Sequence, residues 1–140
     1  MGLGERLEEL GRELGEREAA HAEGFGEARR RAEELRARVA DAVGRFHAAA
    51  SQAGAPHLEL SVTPVRLDDK HVRSCEFELC RGRHRAVVTA KSRGEVTLVG
   101  PFRVGKPEGP CRSFPLAASD EFDAALERFV CSFIEDAATP

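Results

Sequence analysis

Residues 27–53, EARRRAEELRARVADAVGRFHAAASQA, decide the architecture of this chain. Within them Ala28, Ala32, Leu35, Val39, Ala42, Phe46 and Ala49 recur at spacings of four and three. Residues three and four apart share one face of a helix, so the pattern is the seam of a long α-helix. Arg29, Arg30, Arg31, Glu34, Arg36, Arg38 and Arg45 fall off that seam and are expected in water.

Upstream, Leu3, Leu7, Leu10 and Leu14 form a second stripe, continued by Arg17 and His21 at the same spacing. With Leu7, Leu14 and His21 at heptad position a, Leu3, Leu10 and Arg17 fall at d. The second half needs Phe25, Ala32, Val39 and Phe46 at a, so the register slips by four residues after His21, a stutter. Gly24 and Gly26 sit on the slip, and each costs about 1 kcal/mol in a helix interior relative to alanine. These signals predict a kink, hinge or break at 24–26, in a jointed coiled-coil arm or beside a frayed segment over 1–23. The seam of Leu3, Leu7, Leu10, Leu14, Ala28, Ala32, Leu35, Val39, Ala42 and Phe46 is too long for one small sheet to cover. It is therefore expected to pair helices between copies of the chain.

Downstream, Gly54 and Pro56 stop the helix, and the apolar period changes to two. Leu58, Leu60 and Val62 alternate with polar residues, as do Cys75, Phe77 and Leu79, Ala86, Val88 and Ala90, and Val96 and Leu98. Four strands with one buried face follow. Ser92-Arg93-Gly94 makes a three-residue hairpin loop that pairs Lys91 with Glu95, Ala90 with Val96 and Val88 with Leu98. Face matching then pairs Leu79 with Ala86 and Phe77 with Val88, leaving Arg81-Gly82-Arg83-His84 as a four-residue tip. The first hairpin is expected to turn at Asp68-Asp69-Lys70, with a bulge at Thr63-Pro64 because proline cannot donate to a ladder. Gly100–Cys111 reads as a loop, and Arg112–Leu116 as a short fifth strand. A closing helix is capped by Ser119 or Asp120, and Phe122, Ala125, Leu126, Phe129, Val130, Phe133 and Ile134 form its apolar face.

The expected fold is α+β: a long N-terminal coiled-coil-like helix, a four- to five-stranded antiparallel meander, and a C-terminal amphipathic helix packed on one face. Residues 1–53 form the arm and 57–140 the head. This layout resembles adaptors that join a coiled coil to a small globular head, such as kinetochore-type RWD heads. The likeness is one of layout alone, and a shared layout does not carry function.

Composition narrows the function classes. The net charge is −3 over 140 residues, and 18 of the 21 basic residues are arginine. Residues 66–112 carry 11 basic residues against 6 acids, between acidic flanks. The start, Met-Gly-Leu-Gly-Glu-Arg, is charged at once, without the apolar stretch of a secretory leader. With four cysteines, Cys75, Cys80, Cys111 and Cys131, and no membrane-length apolar run, the expectation is a cytoplasmic protein with reduced thiols and no membrane contact.

No catalytic, cofactor or metal motif emerges. Cys75 and Arg81 have the C-x5-R spacing of a phosphatase loop, but the residues between them alternate as a strand and bring two carboxylates. Gly24-Phe25-Gly26 is half of a dinucleotide fingerprint with no strand before it. Cys80, His84 and Cys111 offer at most three zinc ligands at a loose spacing, so ordinary thiols are the plainer reading. The five histidines are scattered, and the chain leans away from being an enzyme.

The candidate binding surface is basic. In a meander the 81–84 tip and the loop after Phe102 share one end of the sheet, which should gather Arg81, Arg83, His84, Arg103, Lys106 and Arg112. Such a cluster suits phosphate, an acidic peptide or a nucleic-acid backbone. The absence of Trp and Tyr argues against base stacking, and Glu135 and Asp136 stand ready to neutralise the cluster. The expectation is a homo-oligomeric adaptor with a protein partner, and nucleic acid as the alternative.

Overall fold

The structure is a computed structural model that describes residues 2–67, 73–105 and 109–139. The first element, α1, runs from Leu3 to Gln52 as one helix of 50 residues, about 75 Å at 1.5 Å per residue. It passes through Gly24 and Gly26 without interruption, so the expected break is absent. The stutter has a simpler cause. Eighteen residues make about five full turns of an α-helix, which stacks Leu7, Leu10 and Leu14 in line with Phe25, Ala28 and Ala32. A strict heptad drifts away from a straight helix, and the inserted four residues restore the line. The helix ends at Ala53, where the Ala55 amide donates to the Ala50 carbonyl and the Gly54 amide to that of Ser51. Gly54, at φ +93°, is the left-handed residue this closure requires.

Six antiparallel strands follow: β1 (Ser61–Val62), β2 (Arg66–Leu67), β3 (Ser74–Arg81), β4 (His84–Lys91), β5 (Glu95–Arg103) and β6 (Cys111–Pro115). The first two both pair with β3 and are halves of one edge; β3 to β6 continue as a meander. Val62 opposes Leu79 while Arg66 opposes Glu76, so the edge holds one extra residue where the bulge is expected. Arg36 of α1 occupies carbonyls beside it, its Nε donating to Thr63 at 3.0 Å and its Nη2 to Val62 at 3.2 Å. Residues 58–60, expected to begin this strand, lie outside it, with Leu58 donating to Ala55 and Glu59 to His57.

The hairpin registers derived from face matching are those observed, including Phe77 with Val88 and Ala90 with Val96. The β3–β4 tip is tighter than expected. Arg81 pairs with His84, leaving Gly82-Arg83 as a two-residue turn with Gly82 at φ +57°. Strand β5 also outruns its expected end. Residues 100–103 are strand rather than loop, and an extra residue at Gly100-Pro101 opposite Ala86 lets Phe102 pair with Arg85 and Arg103 with His84. The proposed turn at 68–70 lies outside the described residues.

The closing helix α2 (Asp120–Ala138) begins as the sequence dictates, with the Ser119 hydroxyl accepting from the Phe122 amide at 3.1 Å. Both helices lie on the same face of the sheet, α1 over β3 and β4 and α2 over β4 and β5. Ala28, Ala32, Leu35, Val39 and Val43 of α1 join Phe77, Leu79, Val88, Val96, Phe122 and Phe133 in one core. The expected division at residue 53 therefore does not mark a change in packing, because the middle of α1 belongs to the head. Ala42 points to solvent, and Phe46 packs at the margin.

Arg31 and Arg36, both expected in water, are corrections as well. Arg31 is only 7% exposed, with its guanidinium 5.1 Å from the centre of the Phe122 ring. Ala28, Arg31 and Leu35 stand at i, i+3 and i+7, so helical spacing already put Arg31 on the flank that meets α2.

Candidate functional site

Two surfaces stand out among the described residues. The first is the end of the sheet at the β3–β4 tip. The register Arg81↔His84↔Arg103 sets three basic side chains in one row across β3, β4 and β5. Their parity is that of Leu79 and Ala86, so the row lies on the helix-bearing face, beyond the end of α2. With Gly82, Arg83, Glu59, Leu60 and Ala137 they line an open concavity of about 700 Å³.

The members of the row are not equivalent. Arg81 is a clamp: its Nε donates to the Ala137 carbonyl at 3.2 Å, and its Nη1 to those of His57 at 3.1 Å and Glu59 at 2.7 Å. It ties the C-terminus of α2 and the α1–β1 connection to the sheet, so this binding candidate also holds the fold together. Among the described residues, Arg83 and Arg103 have no side-chain hydrogen bond or ion pair, and both are exposed. Among the described residues, Glu135 and Asp136 make no ion pair with either arginine.

Arg112 does not belong to this end. It sits on β6 opposite Leu98, with its guanidinium 4.7 Å from the Phe114 ring centre and Nη2 3.2 Å from Glu121. The extension of β5 carries Arg103 to the tip while β6 pairs farther back along the strand, which separates the two. Lys106 lies outside the described residues.

The second surface is the N-terminal part of α1. Leu3, Leu7, Leu10 and Leu14 are 76%, 54%, 39% and 45% exposed, whereas Ala28, Ala32, Leu35 and Val39 of the same expected seam are 0–3% exposed beneath the sheet. The seam is thus divided: its second half is consumed by the head and its first half is free. The head first touches the helix near Glu18, whose carboxylate lies 3.5 Å from Arg73, and at Gly24. About four turns of α1 therefore project beyond the sheet.

Cys75 and Cys80 are not activated as thiolates. Burial pushes the Cys75 thiol up to about 11, only partly offset by Arg29. Cys80 is also raised, chiefly by burial. Cys111 and Cys131 are exposed, and all four are free. Among the described residues no group of three or more potential metal ligands comes together, and no helix is long and apolar enough to cross a membrane.

Compared with protein-family models, curated proteins and solved structures, the chain matches none of them. The likeness of layout to RWD heads finds no support there.

Proposed function

We propose that this protein is a non-enzymatic interaction module that self-associates through the projecting part of α1 and offers its α+β head to a protein partner. One observation carries the reading: a regular stripe of four leucines on a helix, exposed to water and outside the core. Fully burying a leucine stabilises by about 1.5–3 kcal/mol, so an exposed stripe of this kind favours a partner surface. Free thiols and the absence of a membrane-length apolar helix among the described residues are compatible with a cytoplasmic setting. The test is sedimentation equilibrium of the full chain against a Leu7→Glu, Leu10→Glu variant. The parent should form a dimer or higher oligomer that the variant loses, while the variant still unfolds cooperatively because neither leucine contributes to the core. A parent that stays monomeric at high micromolar concentration refutes the reading.

The alternative is binding of a nucleic acid or another polyanion, and the cross-strand row favours it. Arg83 and Arg103, exposed and without side-chain partners among the described residues, leave donors free for a bound anion. Affinity falling steeply with salt, and lost on Arg83→Ser with Arg103→Ser, is its signature.

A further inference from the structure

We infer that the occupant of the leucine stripe is the same stripe of a second copy, laid antiparallel, with Leu3 against Leu14 and Leu7 against Leu10. The inference rests on the self-association reading and adds the orientation and register. It follows from what flanks the leucines.

In an antiparallel pair the a and d layers alternate between helices, and side chains at g face g while those at e face e. Centring the pair between Leu7 and Leu10 fills every layer with leucine. The same register sets Arg6 of one helix beside Glu13 of the other, twice by symmetry, so both g–g contacts join opposite charges. On the other side the facing e residues are Gly4 and Gly11. A Cβ at either glycine would meet nothing within 4 Å in the single chain, so both sites have room for a close neighbour.

The parallel arrangement fails on the same residues. It would face Glu13 with Glu18, leave Arg6 opposite Gly11, and continue the seam into a layer of two arginines at Arg17. It could not be rescued by the rest of α1, because Ala28, Ala32, Leu35 and Val39 are covered by the sheet.

The antiparallel register also fits the head. The first residue of the partner helix, Leu3, lies level with Leu14, about one turn short of Glu18, where Arg73 marks the start of the head. The two heads stand at opposite ends of the dimer, each with its sheet edges and basic end uncovered.

Charge reversal distinguishes the orientations. In the antiparallel pair Glu13→Arg sets a second cation against Arg6 and should weaken the dimer about tenfold, as should Arg6→Glu. The double exchange should return the dissociation constant to that of the parent. In a parallel pair Glu13→Arg would instead face Glu18 and tighten the dimer, and Arg6→Glu would change little. The measurement is sedimentation equilibrium of the full chain under reducing conditions, with melting curves to verify that every variant is folded. Weakening by both single variants with rescue in the double supports the antiparallel pair. Tightening by Glu13→Arg, or failure of the rescue, overturns it while leaving self-association intact. A monomeric parent overturns both readings together.

Discussion

The α-carbon of Gly24 packs against the backbone carbonyl of Ser92, where α1 crosses the β4–β5 turn. A Cβ built at Gly24 would overlap the Ser92 oxygen and lie 3.0 Å from its carbonyl carbon. The glycine is therefore not only a weak point in helix propensity but a position where the helix meets the turn too closely to admit a side chain. The turn cannot retreat easily, since Gly94 donates to Lys91 across it and Ser92 donates to Arg73 beneath it.

Two neighbouring glycines should consequently respond with opposite signs. Gly24→Ala gains helix propensity but forces the helix off the turn, and should destabilise by about 1–3 kcal/mol. Gly26→Ala meets nothing within 4 Å and should stabilise by up to about 1 kcal/mol. Urea titration of the two single variants tests this; equal shifts of the midpoint in the same direction would refute the contact.

Arg81 and Arg83, both placed at the hairpin tip by the sequence, should separate as sharply. Replacing Arg81 with alanine removes the donors for Ala137, His57 and Glu59. Hydrogen bonds from a charged donor contribute about 1.5–3 kcal/mol each when well buried, and these are partly exposed, so a loss of about 2 kcal/mol is expected. Arg83→Ser should change stability by less than about 0.5 kcal/mol. Parallel thermal melts decide, and an Arg81→Ala variant as stable as its parent would remove the clamp from the account.

Local pattern was legible in this chain and long-range proximity was not. Alternation and turn chemistry gave the β3–β4 and β4–β5 registers, because a one-residue slip would turn Phe77, Leu79 and Val88 to the solvent. The bulge followed from Pro64 for the same reason. The destination of the α1 seam was hidden, since Ala28, Ala32 and Leu35 suit a partner helix and a sheet equally well. Small residues at 28 and 32 were the available clue, because alanines let a helix settle close to strands. The basic end was half legible: strand pairing brought Arg81, His84 and Arg103 together. Arg112 was misplaced because the sequence did not show that β5 continues past Gly100.

The buried thiol supplies a prediction in pH. Cys75 is fully buried and its folded pKa is raised to about 11 from an ordinary value of 9.0. The folded state thus favours the protonated thiol. This contribution to stability is whole below about pH 9 and is lost as pH rises from there through 11. At pH 8 an alkylating reagent should modify Cys111 and Cys131 quickly and Cys75 only after unfolding. Mass spectrometry of peptides after timed labelling gives the answer; rapid labelling of Cys75 in the folded chain would contradict its burial.

Arg31 presents the opposite case, a polar side chain the fold does not fully satisfy. Its Nη1 reaches Glu34 at 2.8 Å, but Nε and Nη2 are buried without a partner. Contact with the Phe122 ring returns about 0.5–2 kcal/mol, whereas each unsatisfied buried donor costs about 1–3 kcal/mol. The second quantity exceeds the first, so the charge does not stabilise the α1–α2 contact; the aliphatic stem and its packing do. Arg31→Met keeps an unbranched chain over Phe122, removes both orphaned donors, and exposes no new polar group, since Glu34 is more than half exposed. It should leave stability unchanged or raise it by about 1 kcal/mol. Arg31→Ala, which also discards the packing, should lower it by about 1–2 kcal/mol. Chemical denaturation of the pair tests the ordering, and a methionine variant as unstable as the alanine variant would mean that the guanidinium itself holds α1 against α2.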